Sequence, residues 1–321
     1  MNILGIHSAL NQFNHDPGAA LICGNRLIAV CEEERFNRIK SSRGYFPLWS
    51  IKGVLEEAGL KISDIDKVYT TGATARVKIK PHLVSFFNHY FGFVPEIVFV
   101  DHQDAHLASA YYCSSFDEAM CLSYDGIGDK SSGKLAVGKE RDIHVVETIE
   151  INQSLGNFYS AITAYLGFKP VEDEYKVMGL APYGEPKYEK LILDKLIDIK
   201  PDGSFRLQME YFDYAAGLRM TNDRFANLFG RPPRKPESPL TQQEMDIAAS
   251  IQLVTEKVIL RIARTLHKET SSNNLCLAGG VALNCVANGR LQREGPFDNL
   301  WVQPAAGDAG GALGCALAAW H

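Results

Sequence analysis

The densest chemistry in the chain lies in Asp101-His102-Gln103-Asp104-Ala105-His106-Leu107-Ala108-Ser109-Ala110. On a helix, His102 and His106 stand four positions apart on one face, with about 6 Å between Cβ atoms. That spacing lets two imidazoles share one ion, the geometry also used in H-E-x-x-H metalloenzymes. No glutamate follows the first histidine, so a zinc-protease reading lacks its general base. Taken alone, the pair is also what two histidines lining or capping a helix would give. Candidates for further ligands sit in two loops. Asp125 ends a strand in Tyr124-Asp125-Gly126-Ile127-Gly128-Asp129, and Asp308 lies in Pro304-Ala305-Ala306-Gly307-Asp308-Ala309-Gly310-Gly311. Aspartate at such edges is equally an ordinary turn former or helix cap.

Glycines gather around the same places. Gly126 and Gly128 offer backbone N–H groups unobstructed by side chains, suited to a phosphate. A hairpin follows them, not a helix, so this is no Rossmann fingerprint. Gly279-Gly280, leading to Asn284, joins a strand to a helix; paired glycines there admit a ribose or adenine, and the helix start favours an anion. Glycine pairs also mark simple turns. His15-Asp16 stands between two strands, with His7 nearby. Glu32–Lys40 mixes both charges, and a solvated, internally paired face is its plain alternative. Glu174 and Lys176, before the small-residue stretch Gly179–Gly184, suggest either an ion pair and turn or a lysine held for phosphate.

The elements that must position these residues read as a repeat. Strands at Asn2–Ile6, Ala19–Ile22 and Leu27–Glu32 surround a loop at Ser8–Pro17 and a hairpin turn at Gly24-Asn25. A helix at Ser50–Ala58 and a strand near Val68–Thr71 follow. The pattern returns with strands at Ala119–Tyr124, Lys134–Gly138 and His144–Ile149, around a Gly/Asp/Ser loop at Asp125–Ser132. The spacing of about 115 residues is too long for a solenoid and fits a two-lobed, internally duplicated α/β protein. Helices are expected at Gly156–Leu166 and Leu240–Leu266, the latter with Thr241 as N-cap and Glu244 three residues on. Gly230–Pro239 reads as a proline-rich excursion. The remaining block reads strand (Leu275–Ala278), helix (Val281–Leu291), strand (Leu300–Val302), then a helix from Asp308. The expected division is a first lobe over 1–115 and a second over 116–321 carrying a helical insertion.

Bulk properties narrow the class. The 321 residues carry a net charge of -5, with 46% hydrophobic and 22% charged residues. Nothing there recommends a nucleic-acid partner. The seven cysteines include no C-x-x-C pair and mostly sit in apolar runs, which suits core positions in a reducing compartment. Signal-peptide and membrane-span patterns are missing, so the chain reads as soluble, cytoplasmic and without a membrane partner. Its last residues, Ala318-Ala319-Trp320-His321, fall inside a helix without a cap, as in a natural short form or a piece of a longer protein.

His15-Asp16 with Gly18-Ala19-Ala20, Glu32–Lys40, Asp101–Ala110, Tyr124–Gly128, Lys176–Gly184, Gly279–Asn284 and Gly307–Gly314, in this order, resemble the NodU/CmcH family of O-carbamoyltransferases. The catalytic domain of that family is similar to the enzyme that transfers threonylcarbamoyl to tRNA, and has the two-lobed actin/sugar-kinase/Hsp70 fold. The resemblance implies a metal held by His102, His106, Asp125 and Asp308. Two nitrogens and two oxygens suit Fe(II), Zn(II) or Mn(II), and the resemblance favours Fe(II). It implies ATP chemistry through a carbamoyl-adenylate, with Mg(II) as a companion of the nucleotide, contacted by Gly126, Gly128, Gly156, Asn157, Gly279, Gly280, Asn284 and Gly307. Lys40, Glu174 and Lys176 are assigned to the donor. His15, oriented by Asp16, is the expected general base, with a donor contact as its alternative role.

Family members usually continue into a domain that makes carbamoyl-adenylate from ATP and carbamoyl phosphate, and that domain is expected to be absent from this chain. The expected partners are therefore a donor-making domain or protein, a small-molecule hydroxyl acceptor and, as one arrangement, a second copy of the chain. Two rival readings are a tRNA threonylcarbamoyl transferase, disfavoured by the acidic charge, and a silent nucleotide-binding regulatory subunit.

Overall fold

A computed structural model describes residues 1–10, 14–215 and 217–321. The expected Ser8–Pro17 loop thus includes 11–13, which lie outside the described residues. The first half runs β1 (Asn2–His7), β2 (Gly18–Cys23), β3 (Arg26–Glu32), α1 (Glu33–Asn37), α2 (Leu48–Ala58), β4 (Lys67–Thr70), α3 (Arg76–Phe91), β5 (Glu96–Phe99) and α4 (His102–Tyr111). The second begins with β6 (Glu118–Gly128), β7 (Ser131–Lys139), β8 (Asp142–Glu150) and α5 (Leu155–Tyr165). An insertion follows: α6 (Glu174–Leu180), α7 (Glu189–Lys195), β9 (Ile197–Ile199), β10 (Phe205–Leu207) and α8 (Asp223–Leu228). The chain then closes with α9 (Gln242–Thr270), β11 (Asn274–Ala278), α10 (Cys285–Glu294), β12 (Asn299–Val302) and α11 (Gly311–Trp320).

The duplication read from the strand pattern is present. Among the described residues, β3-β2-β1-β4-β5 form one sheet and β8-β7-β6-β11-β12 form another, the same order read from the same edge. In each, a meander of three antiparallel strands continues into parallel strands joined by helices. One face of the first sheet packs Leu4, Ile6, Leu21 and Val68 against Ile51 and Val54 of α2 and Leu83 and Phe87 of α3. The corresponding face of the second packs Met120, Leu122, Leu275 and Leu277 against Phe158 and Ile162 of α5 and Ile251, Val254 and Val258 of α9.

The other faces are covered crosswise. Leu107, Ala110 and Tyr111 of α4 pack on Ala119, Cys121, Ala136 and Cys276 of the second sheet. Ala312, Leu313, Ala316 and Leu317 of α11 pack on Ile3, Ala20 and Ile22 of the first. Each half therefore lends its last helix to the other half's sheet, and α4 and α11 cross between the lobes. They touch backbone to backbone: a Cβ on Gly314 would lie 1.8 Å from the Ala105 carbonyl oxygen.

Three expectations need correction. The loop expected at Asp125–Ser132 is mostly strand, because β6 runs to Gly128 and turns through Asp129-Lys130 alone. Its ladder breaks between Tyr124 and Gly128, so Asp125 leaves the regular pairing even though it lies in a strand. The helix expected at Val281–Leu291 is broken at Asn284, whose side-chain oxygen accepts the Ala287 N–H at 3.0 Å and caps α10 instead of continuing a helix. Of the cysteines expected mostly in the core, Cys121, Cys276 and Cys315 are buried, Cys23, Cys31 and Cys113 are half-buried, and Cys285, which opens α10, is exposed.

Candidate metal centre

Asp101 caps α4, accepting the N–H groups of Gln103 and Asp104 at 3.0 and 3.3 Å. This cap fixes the first turn, and Lys134 of β7 ties it down through Asp101 and Asp104 at 2.8 and 2.6 Å. One turn apart, His102 and His106 direct their Nε2 atoms to a common point, 3.0 Å from each other. Asp125 Oδ2 lies 2.9 Å from His102 Nε2 and 3.4 Å from His106 Nε2. Asp308 Oδ1 lies 3.3 and 3.7 Å from the same atoms. His102, His106 and Asp308 are buried, and Asp125 is 9% exposed.

This arrangement fits a divalent cation. An ion with bonds of about 2.1 Å holds ligand atoms about 3.4 Å apart when tetrahedral and about 3.0 Å apart at adjacent octahedral positions. The observed separations span that range. Both Nε2 atoms cannot carry protons at 3.0 Å without facing donor to donor, whereas one cation satisfies both lone pairs and both carboxylates. Burial raises the pKa of Asp125 and Asp308, but the facing histidines prevail and hold both carboxylates ionised, well below the usual range. Desolvation disfavours charge on His102, yet Asp308 and Asp125 pull its pKa well above normal.

Two more histidines stand behind Asp308. His7 Nε2 is 3.4 Å from Asp308 Oδ2, with its Nδ1 2.8 Å from the Thr71 hydroxyl. His15 Nε2 is 3.9 Å from the same oxygen, and its Nδ1 is 2.8 Å from Asp16 Oδ2. Burial works against a charged His15, but Asp308, Asp16 and Asp125 push its pKa up to about 9. His15 and Asp16 thus adjoin the four-residue cluster, paired as the sequence suggested.

The glycines serve this cluster directly. A Cβ on Gly128 would sit 2.1 Å from His102 Cδ2, so the missing side chain is the space the imidazole fills. Gly279 has φ +87°, and a Cβ there would lie 2.0 Å from the Tyr124 carbonyl. Gly280 donates its N–H to Asp125 Oδ1 at 3.2 Å. Gly156 lies against the Asp125 carbonyl, which accepts the Ser154 hydroxyl at 3.0 Å. Gly126 lies beside Asn157, whose Nδ2 is buried without a partner, and Gly307 borders Leu283. Asn284 uses its amide on the α10 cap and on Gln252, in reciprocal bonds of 2.9 and 3.1 Å.

The residues expected from sequence to contact the donor are held by partners of their own. Glu174 accepts from the Ser160 hydroxyl and from Val171 N–H at 2.6 Å, and Lys176 pairs with Asp173 at 2.9 Å, so the two do not pair with each other. Lys40, from the first half, donates to the Glu172 carbonyl at 3.2 Å and lies 4.8 Å from the Tyr175 ring centroid. In the charged run Glu32–Lys40, Glu33 departs from a solvated face: it is buried, accepting from Trp49 and Ser50 of α2. A cavity of about 520 Å³ between Gly167–Lys176 and the Gly230–Pro239 excursion is lined by Lys169, Lys176 and Arg234, but by none of the four cluster residues.

Sequence reasoning gave no role to His7, Thr71 or Asp129. Asp129, in the hairpin turn, accepts the N–H of His102 at 2.9 Å. Aspartate is an ordinary residue in a two-residue hairpin turn, so no local signal marked it.

The uncharacterized protein sll1178 of Synechocystis is 46% identical over 100% of this chain and 57% of its own length. Nodulation protein NolNO of Sinorhizobium fredii is 37% identical over 96% of the chain and 46% of its own length. The chain thus spans about half the length of the curated relatives it matches. Among solved structures, full-length HypF in its phosphate- and nucleotide-bound form gives a TM-score of 0.58 at 14% identity, over 99% of this chain and 55% of that one. Component A of (R)-2-hydroxyglutaryl-CoA dehydratase from Acidaminococcus fermentans gives 0.51 at 15% identity, over 99% and 97%. These likenesses are of fold, and the fold is the two-lobed actin/sugar-kinase type. A family model described as "Carbamoyltransferase N-terminus" matches residues 2–90 and 78–317, across both lobes and all four cluster positions, and the chain belongs to that family.

Proposed function

We propose that this chain transfers a carbamoyl group from carbamoyl-adenylate to a hydroxyl of a small-molecule acceptor, at a divalent metal held by His102, His106, Asp125 and Asp308. The observation that carries the reading is the convergence of two imidazoles and two carboxylates, within 4.8 Å of one another, where the two lobes meet in a carbamoyltransferase-family chain. A metal bound there would act as a Lewis acid toward the donor, and two nitrogens with two oxygens suit Fe(II), Zn(II) or Mn(II). The acceptor oxygen attacks the carbamoyl carbon and forms the new C–O bond. The bond from that carbon to the phosphate oxygen breaks, and AMP leaves. His15 is the candidate to take the hydroxyl proton at Nε2, with Asp16 fixing the ring through Nδ1 at 2.8 Å. Burial disfavours its charged form, but the charges of Asp308 and Asp125 raise its pKa to about 9, so it would serve as a base only where the cation those carboxylates hold offsets their charge. Gly280 and Gly126 flank Asp125 and are the glycines proposed to face the adenylate, while Lys40 and Lys176 lie over the Tyr175 ring, at 4.8 and 5.9 Å from its centroid.

The test supplies carbamoyl-adenylate with a panel of hydroxylated molecules and follows AMP release together with acceptor mass. Asp125→Asn and His106→Ala are expected to lose at least about 100-fold of the transfer, and His15→Gln to lose activity while keeping its metal. Transfer by Asp125→Asn and His106→Ala at the parent's rate would refute the reading.

A further inference from the structure

Asp129 carries more hydrogen bonds than a surface turn requires. It is the first residue of the two-residue turn between β6 and β7, at φ +53°, a region that residues with side chains rarely adopt. Both its oxygens are engaged. Oδ1 accepts the Thr74 N–H at 2.9 Å and the Thr74 hydroxyl at 2.7 Å. Oδ2 accepts the Ala73 N–H at 3.2 Å and the His102 N–H at 2.9 Å. Ala73 and Thr74 lie between β4 and α3 of the first sheet, His102 opens α4, and Asp129 itself belongs to the second sheet. One carboxylate therefore joins the lobes and holds the first turn of the helix bearing both imidazoles. The same hairpin end bounds the His102 ring, through the space left at Gly128.

We infer that Asp129 is a positioning residue for the metal centre: it clasps the His102 backbone to the Ala73–Thr74 turn and so fixes the His102 imidazole at its ligand position. The inference rests on the reading of the four-residue cluster as a metal site. The clasp requires a carboxylate. Asparagine has a single acceptor oxygen, so its NH₂ would face N–H donors at one end or the other. Glycine suits the positive φ better than aspartate but makes neither contact.

That contrast supplies the experiment. The 321-residue chain, Asp129→Asn and Asp129→Gly are titrated with Co(II) against a chromophoric chelator, and the visible bands of the bound ion are recorded with thermal unfolding. Both variants are expected to unfold cooperatively and to bind Co(II) at least about tenfold more weakly than the parent, the range typical of residues that orient ligands, with altered bands. Glycine tests the inference even where asparagine disturbs the turn. Variants that unfold cooperatively and keep the parent's affinity and spectrum would overturn the inference and leave Asp129 a turn residue only. A parent that binds no Co(II) would instead refute the metal reading, and this inference with it.

Discussion

At the scale of single residues, the cluster depends on side chains that are missing as much as on those present. Gly128 and Gly126 differ sharply although they are two positions apart. A Cβ at Gly128 falls 2.1 Å from the His102 ring, whereas one at Gly126 meets only Asn157 Oδ1, at 3.3 Å. Gly128→Ala is therefore expected to displace the imidazole, to lose at least about tenfold in metal affinity and to cost about 1–3 kcal/mol by overpacking. Gly126→Ala should keep the metal affinity of the parent. Metal titration and thermal unfolding of the two variants check the contrast, and equal behaviour would contradict it. The sequence held His102 and His106 in plain view because their spacing matches one helical turn. Asp125 and Asp308 were visible only as aspartates at strand edges, and the family resemblance joined them to the pair. Asp129 was not legible: its function lies in which backbone donors come to it from the other lobe, and no local spacing encodes that. Gly280→Val would bring its Cβ to 3.0 Å from Asp125 Oδ1, so it would disturb the metal cluster as well as any nucleotide bound at the glycine pair.

At the scale of elements, caps decide where helices begin and how the cleft is built. The long α9 starts as read, with Thr241 and Glu244 in a capping box. The break at Asn284 was hidden because Val281–Leu291 has an acceptable helical composition, and only tertiary contacts show the amide held by Gln252. Asn284→Ala removes a cap worth about 1 kcal/mol and also leaves the buried Gln252 amide short of a partner, so the loss of stability should exceed the cap alone. A denaturant titration showing less than that would count against the reciprocal amide pair. Asp246, near the start of α9, accepts from Glu185 N–H, Gln242 and Lys187, each at 2.9 Å. Burial favours its neutral form, but these donors prevail and hold its pKa below the ordinary value. A carboxylate depressed in the folded state stabilises above its unfolded pKa, and that stability is lost as the pH falls through the folded pKa. The melting-temperature gap between the parent and Asp246→Asn should be flat above about pH 5 and narrow below about pH 4. A gap independent of pH would contradict this.

At the scale of the whole molecule, the exchange of last helices makes the two halves interdependent. The strand–loop–hairpin repeat was legible because turns and β-rich runs are local signals. Which sheet each final helix covers was not, since the small apolar faces of α4 and α11 suit either. The consequence is that His102 and His106 come from a helix packed on the second sheet, while Asp308 precedes a helix packed on the first. Separated pieces 1–115 and 116–321 are therefore expected to unfold without cooperativity and to bind no metal, because each exposes a sheet face the other should cover. Cooperative melting of either piece alone would contradict that interdependence.

The central claim is that this crossing of lobes is a metal centre. Elemental analysis of the purified chain, with His102→Ala, Asp308→Ala and the exposed-strand control His144→Ala, tests it most directly. The account expects close to one divalent ion per chain in the parent and in His144→Ala, and a small fraction of that in the other two. Equal metal in all four proteins, or none in the parent after growth and reconstitution with Fe(II), Zn(II) and Mn(II), would contradict it.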